Sequence, residues 1–192
     1  VMRRSFRIVE PVTVAIVGLL QTGAAFGLIC MALRGGEAGK SAVLNYTLPI
    51  WVMILSFLFL KERPRVGQWV ATAIALLGIL IMAFVGGKAG SLEPVLYALA
   101  ASFCWGAGVV VNTALGRRHP GRIDPLVLTT WQLFSGGVAL GLAALVVPEP
   151  PLQWTSGFIW AALYNVGPAT ALACFVWFVL QARMDANLLS LI

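Results

Sequence analysis

The sequence predicts an all-α, polytopic membrane helical bundle of about six full transmembrane helices and the start of a seventh. Three observations predict it. Hydrophobic residues make up 60% of the 192 and charged residues only 10%, where a soluble domain needs roughly a quarter charged to cover its surface. The apolar residues gather in continuous runs rather than alternating, and the mean hydropathy is +0.92. Lys and Arg are confined to the breaks between runs. The net charge of +6 therefore does not describe a nucleic-acid surface, which would need its cations on one face with interleaved aromatics.

A hydrocarbon core of about 30 Å takes about 20 helical residues to cross. Six stretches have that length: Pro11 to Leu33, Ser41 to Leu60, Val66 to Val85, Pro94 to Leu115, Leu126 to Val147 and Phe158 to Leu180. A seventh begins near Ala186, and the chain is expected to be a fragment at that end. The first run is too long for the core of a signal peptide, so a cleaved leader is not expected. Helices are favoured over barrel strands because no run shows a two-residue alternation.

Each run ends at residues that stop helices. Arg34-Gly35-Gly36, Lys61-Glu62-Arg63-Pro64, Gly86-Gly87, His119-Pro120-Gly121 and Pro148-Glu149-Pro150-Pro151 supply the breaks. Loops this short make consecutive helices antiparallel neighbours and leave no room for a soluble domain. Assigning loops to alternate sides puts Arg3, Arg4, Arg7, Lys61, Arg63, Arg65, Arg117, Arg118, Arg122 and Arg183 on one side, against Arg34, Lys40 and Lys88 on the other. The first side is expected to be cytoplasmic, in a multi-pass protein of the plasma (inner) membrane.

A shift that lays Gly23 on Gly167 also lays Ala25 on Ala169, Leu28 on Leu172, Cys30 on Cys174 and Ala42 on Ala186. The same shift sets Gln21 on Asn165, an amide on an amide. The two helices so matched cross the membrane in opposite directions, as in an inverted repeat with an offset of five helices. A parent of two five-helix halves is implied.

The run Ala42-Val43-Leu44-Asn45-Tyr46-Thr47-Leu48-Pro49-Ile50, the stretch Leu60-Lys61-Glu62-Arg63-Pro64, Gln68-Trp69 and Gly78-Ile79-Leu80 resemble the drug/metabolite transporter superfamily of EamA type. Ser102-Phe103-Cys104-Trp105-Gly106 resembles the Trp-Gly that opens its second repeat. The resemblance covers essentially the whole chain and implies a truncated 5+5 inverted-repeat transporter. Residues 1–87 would be the last three helices of one repeat, and 88–192 the first three helices and the start of the fourth of the next. It also implies a role for Glu62 at a cytoplasmic gate, though an exposed charge is the simpler reading. It is nearly silent about substrate.

Candidate site residues follow from polarity and depth, since a polar side chain in hydrocarbon must face the bundle or water. No Asp, Glu, Lys, Arg or His lies in the middle of a run. The substrate-cavity candidates are Gln21, Asn45, Tyr46, Pro49, Trp105, Asn112, Tyr164 and Asn165. Trp105 and Asn112 share a helical face two turns apart, as do Tyr46, Pro49 and Met53. Pro49 leaves a backbone carbonyl without its donor, and Tyr164-Asn165 before Pro168 repeats that arrangement. Interrupted helices at matching places in two halves point to a transport site.

Each candidate has a plainer reading. Tyr46 would serve as an interfacial anchor, and Trp105 as tight packing. Gln132 is read first as a bridge between helices. Gly23 and Gly27, and Gly137 and Gly141, have the spacing of close helix packing. His119 reads as a solvated loop residue, and Cys30, Cys104 and Cys174 as small hydrophobes.

The expected function is a secondary transporter moving a small organic metabolite by alternating access. Its partners would be the lipid bilayer and a neutral, zwitterionic or amphipathic solute, with a second copy of the chain as a candidate and no nucleic acid. No catalytic residue, metal or cofactor is expected. An intramembrane enzyme acting on lipids would need paired acids, metal ligands or an activated nucleophile, and none appears. A membrane scaffold would need no inverted repeat.

Overall fold

Helix α1 (Pro11–Gly18) starts on a proline, whose missing N–H costs nothing in a first turn. The backbone continues without a break through a π-helical segment, Leu19–Ala24, into α2 (Ala25–Gly35). This structure, a computed structural model, describes residues 8–35, 38–64, 66–85, 92–147 and 153–172. They divide into two compact units, with the boundary between Val146 and Val147.

In the first unit α3 (Ala38–Asn45) and α4 (Leu48–Leu60) follow, separated by a turn at Tyr46 and Thr47. Next come α5 (Val66–Val85), α6 (Leu92–Arg118) and α7 (Pro125–Val146). The charges on α6 complement its dipole, with Glu93 in the first turn and Arg117 and Arg118 in the last. The Asp124 carboxylate accepts from Leu126 N–H at 2.9 Å and opens α7.

The segments Pro11–Arg34, Ala38–Leu60, Leu92–Arg118 and Pro125–Val146 are each long and apolar enough to cross a bilayer. With α5, which occupies the bounds expected of the third run, they make the chain an all-α polytopic membrane bundle. The second run is interrupted at Tyr46 and Thr47, in keeping with the expected proline break, because Pro49 cannot donate back to Asn45. In the second unit α8 (Ser156–Tyr164), capped by the Thr155 hydroxyl accepting from Phe158 N–H at 3.2 Å, passes into a π-helical segment, Asn165–Leu172, that contains Pro168. The rest of the sixth run and the start of the seventh, with Cys174 and Arg183, lie outside the described residues.

Helix α6 is the spine of the first unit, packed against α1, α2, α3, α4 and the π-helical segment, while α7 covers α1 and that segment. Its inner face is small: Ala98, Ala101, Ser102, Gly106 and Gly108 are all buried. Large apolar residues point the other way, Phe59, Leu145 and Val146 among them. In lipid the tails are as apolar as Leu, so the interior is filled by residues that let backbones approach. The expected glycine seam is shifted by one position on α7. Gly136, not Gly137, meets the π-helical segment, where a Cβ would strike the Thr22 side chain and the Gly18 carbonyl. Gly137 and Gly141 face open space, whereas Gly23 and Gly27 do pack, against Ala139 and Leu140.

The cationic end of α6 is tied to two other helices. Arg117 pairs with Glu62, just past α4. Arg118 lies 3.8 Å from Glu10, and His119 Nε2 lies 2.7 Å from the same carboxylate. His119 is thus not the solvated loop residue that its Pro-Gly neighbourhood suggests, because a kink at Glu10 brings an acid to it.

Candidate functional site

The break in the second span creates a backbone problem inside the bundle. In an unbroken helix the Asn45 carbonyl would accept from residue 49, but Pro49 has no N–H. The Leu44 carbonyl is served locally, by Thr47 N–H at 3.1 Å and the Thr47 hydroxyl at 2.8 Å. Asn45 is served from α6: the fully buried Ser102 places Oγ 3.2 Å from its carbonyl and 3.1 Å from its side-chain Oδ1. The same Oγ lies 3.1 Å from the Ala98 carbonyl, one turn back. One hydroxyl proton faces several acceptors, so Ser102 holds the break with a bond that can move among them.

Further along α6, Gly106 lets the second span come close, with a Cβ there only 3.0 Å from Trp51 Cβ. Trp51 stands edge-on to Phe103, ring centroids 5.3 Å apart. Its indole Nε1 is buried with no hydrogen-bond partner. Trp105 turns to the first span instead and meets Phe26 at 5.5 Å. Gln21, in the π-helical segment, lies against Gly108, where any side chain would overlap it. One turn beyond, Asn112 Oδ1 accepts from Gln132 Nε2 at 3.2 Å, joining α6 to α7. Gln132 is a bridge between helices, as its plainer reading has it.

Four of the sequence candidates, Asn45, Gln21, Trp105 and Asn112, therefore lie on or against α6, arrayed along its length. Pro49 lies one turn from Ser102's partners and lines a cavity of about 370 Å³ between α4 and α5. Met53, Ser56, Gln68 and Thr72 line it too, as do Glu62 and Arg63. The Thr72 hydroxyl reaches across to Met53 Sδ at 3.8 Å. Tyr46 is not among the lining residues; it points outward from the break, 74% exposed. Tyr164 and Asn165 sit in the second unit at the junction of α8 and its π-helical segment, both exposed there.

Ser102, Trp51 and Thr22 are the residues the sequence reasoning passed over. For Ser102 the signal was present, since Pro49 had already announced an unserved carbonyl, but a serine in an apolar run cannot be assigned to it without the crossing of α3 and α6. Among the described residues no cluster of His, Cys, Asp and Glu could hold a metal ion. The interior chemistry is uncharged: amides, hydroxyls, indoles and a freed carbonyl.

The EamA-like transporter family matches residues 2–84 and again 92–192. The chain is 28% identical over 179 residues to "Uncharacterized transporter YoaV" of Bacillus subtilis (strain 168), with 90% of this chain and 59% of that relative covered. It is 28% identical over 173 residues to "Protein PecM" of Dickeya dadantii (strain 3937), covering 90% and 56%. To "Uncharacterized inner membrane transporter YedA" of Escherichia coli (strain K12) it is 27% identical over 149 residues, covering 76% and 46%. The chain spans about half the length of the curated relatives it matches. No solved structure matches it.

Proposed function

This chain belongs to the EamA-like transporter family, and from that premise we propose that it forms the middle of a secondary transporter. It would move a small organic solute by alternating access between two inverted halves, residues 1–87 and 88–192 being their adjoining parts. The observation that carries this reading is the helix break at Asn45 to Pro49, held by Ser102 on α6. Broken helices with their freed backbone facing protein, not lipid, are how transporters build sites at membrane depth.

The solute class follows from the same chemistry. Amides, indoles and hydroxyls along α6 and the apolar cavity beside Pro49 suit a neutral, zwitterionic or amphipathic molecule. A phosphorylated one would want Lys or Arg at depth, and none stands there in this chain. The excess of Lys and Arg at the α6 C-terminal end supports placing that end in the cytoplasm of a plasma-membrane protein. Relatives such as YoaV and YedA carry transporter names, and this supports a non-enzymatic role.

Uptake or efflux in vesicles, comparing wild type with Trp105→Ala and Asn165→Ala, tests the reading. Transport of a responsive solute should fall at least about tenfold in each, as when a positioning contact is lost. Unchanged rates in both would remove these residues from the solute path.

A further inference from the structure

The two non-glycine residues with left-handed backbone among the described residues are Glu10, at φ 52°, and Lys61, at φ 54°. An L-residue held there costs about 1–2 kcal/mol unless its surroundings require it. Both stand at the Lys- and Arg-rich end of the bundle, and both aim an acid at the same place. The kink at Lys61 turns the chain so that Glu62 meets Arg117. The kink at Glu10 sets its own carboxylate against Arg118 and His119. The end of α6 is a post to which the starts and ends of other helices are fastened.

The two fastenings differ in chemistry. Glu62 with Arg117 is a pair of permanent charges, roughly half exposed. At Glu10 one partner is an imidazole, the side chain whose charge changes nearest neutral pH, and both side chains are better covered, 25% exposed for His119 and 31% for Glu10. We propose that Glu10 and His119 form a proton-operated clasp that fastens the start of α1 to the end of α6 and tightens as the pH on that side falls.

An ionised carboxylate can only accept, so His119 Nε2–H donates to Glu10 Oε1 in both states of the ring. A proton taken from water at Nδ1 turns the neutral hydrogen bond into an imidazolium–carboxylate bond, which is the stronger of the two. Glu10 is kept ready for it. Its carboxyl is held below the usual carboxylate range, first by the His119 bond and then by the Thr13 hydroxyl at 2.8 Å, with Arg118 adding to both. Acid weakens the clasp only once Glu10 itself takes a proton, below that range. Among the described residues the other charged groups at this end are Arg117 and Arg118 on α6, Lys61, Glu62 and Arg63 past α4, and Arg122 and Asp124 ahead of α7. The Arg122 N–H donates to the His119 carbonyl at 3.2 Å, fixing the turn that presents the ring. The closing motion is a movement of α1 relative to α6. Its effect on solute flux rests on the transporter reading above, whereas the clasp itself does not.

Spin labels on cysteines placed at Val12, exposed on α1, and Gly116, with open space beside it on α6, would follow the distance in the purified protein with its native cysteines replaced. Between pH 8 and pH 6 the short-distance population should rise about two- to five-fold over the long, the span a partly exposed ion pair commands. His119→Gln and Glu10→Gln should each flatten that response while keeping the mean fold. The swapped pair Glu10→His with His119→Glu should restore it. A wild-type response in His119→Gln, a flat response in the wild type or a flat response in a folded swapped pair would each overturn the clasp. If the cysteine replacements unfold the protein, the pH dependence of its melting temperature in wild type, single variants and swapped pair is read by the same criteria. A distance that answers to pH in a full-length protein that moves no solute at either pH would leave the clasp standing and count against the transport reading.

Discussion

Gly136 shows how little room the bundle leaves. A methyl group there would overlap Thr22 Cβ and the Gly18 carbonyl oxygen, and a backbone oxygen cannot rotate away. Gly136→Ala should therefore destabilise the protein by about 1–3 kcal/mol, the cost of overpacking. Gly137→Ala, with nothing within 4 Å, should be neutral; thermal unfolding in detergent compares the two. Equal melting temperatures would mean that the α7 seam is misplaced by a residue. The sequence carried the spacing of small residues but not their phase, since Gly136, Gly137 and Gly141 are equivalent until α7 is laid on α1. Polar candidates were legible for the same limited reason. Depth in an apolar run told that Asn112 and Gln132 must find partners, while their pairing with each other, like the packing of Gln21 against Gly108, depends on helix crossings. His119 was unreadable from its neighbours because its acid lies 109 residues away.

At the scale of elements, the two interruptions in the first unit differ in origin. The break between α3 and α4 follows from Pro49, which marks an interruption in the sequence, while the turn itself falls earlier, at Tyr46 and Thr47. The π-helical segment Leu19–Ala24 has no proline; its extra residue per turn is accommodated where Gln21 and Thr22 wedge between α6 and α7. Such widened turns occur where a helix does something other than span. Replacing Pro49 by Ala returns the missing N–H, lets Asn45 bond within its own helix and leaves Ser102 with less to hold. The variant should fold with unchanged or higher thermal stability and transport at least about tenfold more slowly, since misplaced contacts at a site cost rates of that order. Full transport by Pro49→Ala would show that the break is only structural.

The whole molecule joins what the repeat pattern separates. The family match breaks between residues 84 and 92, yet α6, beyond that gap, is the helix around which α1, α2, α3 and α4 pack, and α7 covers α1. Fragments divided at Gly87 should consequently fail to give stable protein when made singly and should co-purify when made together, as scored by affinity pull-down from detergent. A first fragment that is folded alone would contradict the role of α6 as spine. The lengths of the first five apolar runs were legible because bilayer thickness fixes them. Which helices touch was not, because interior faces built from Ala, Gly and Ser look alike in every run.

The bond from Ser102 to the Asn45 carbonyl spans 57 residues of chain. Synthesis at about 5–20 residues per second makes that a wait of roughly 3–11 s between the moment the carbonyl enters the bilayer and the moment its donor exists. During those seconds the kinked second span stands in lipid with its polar notch open. The nascent protein must be sheltered by the insertion machinery, or by water drawn to the notch, until α6 arrives.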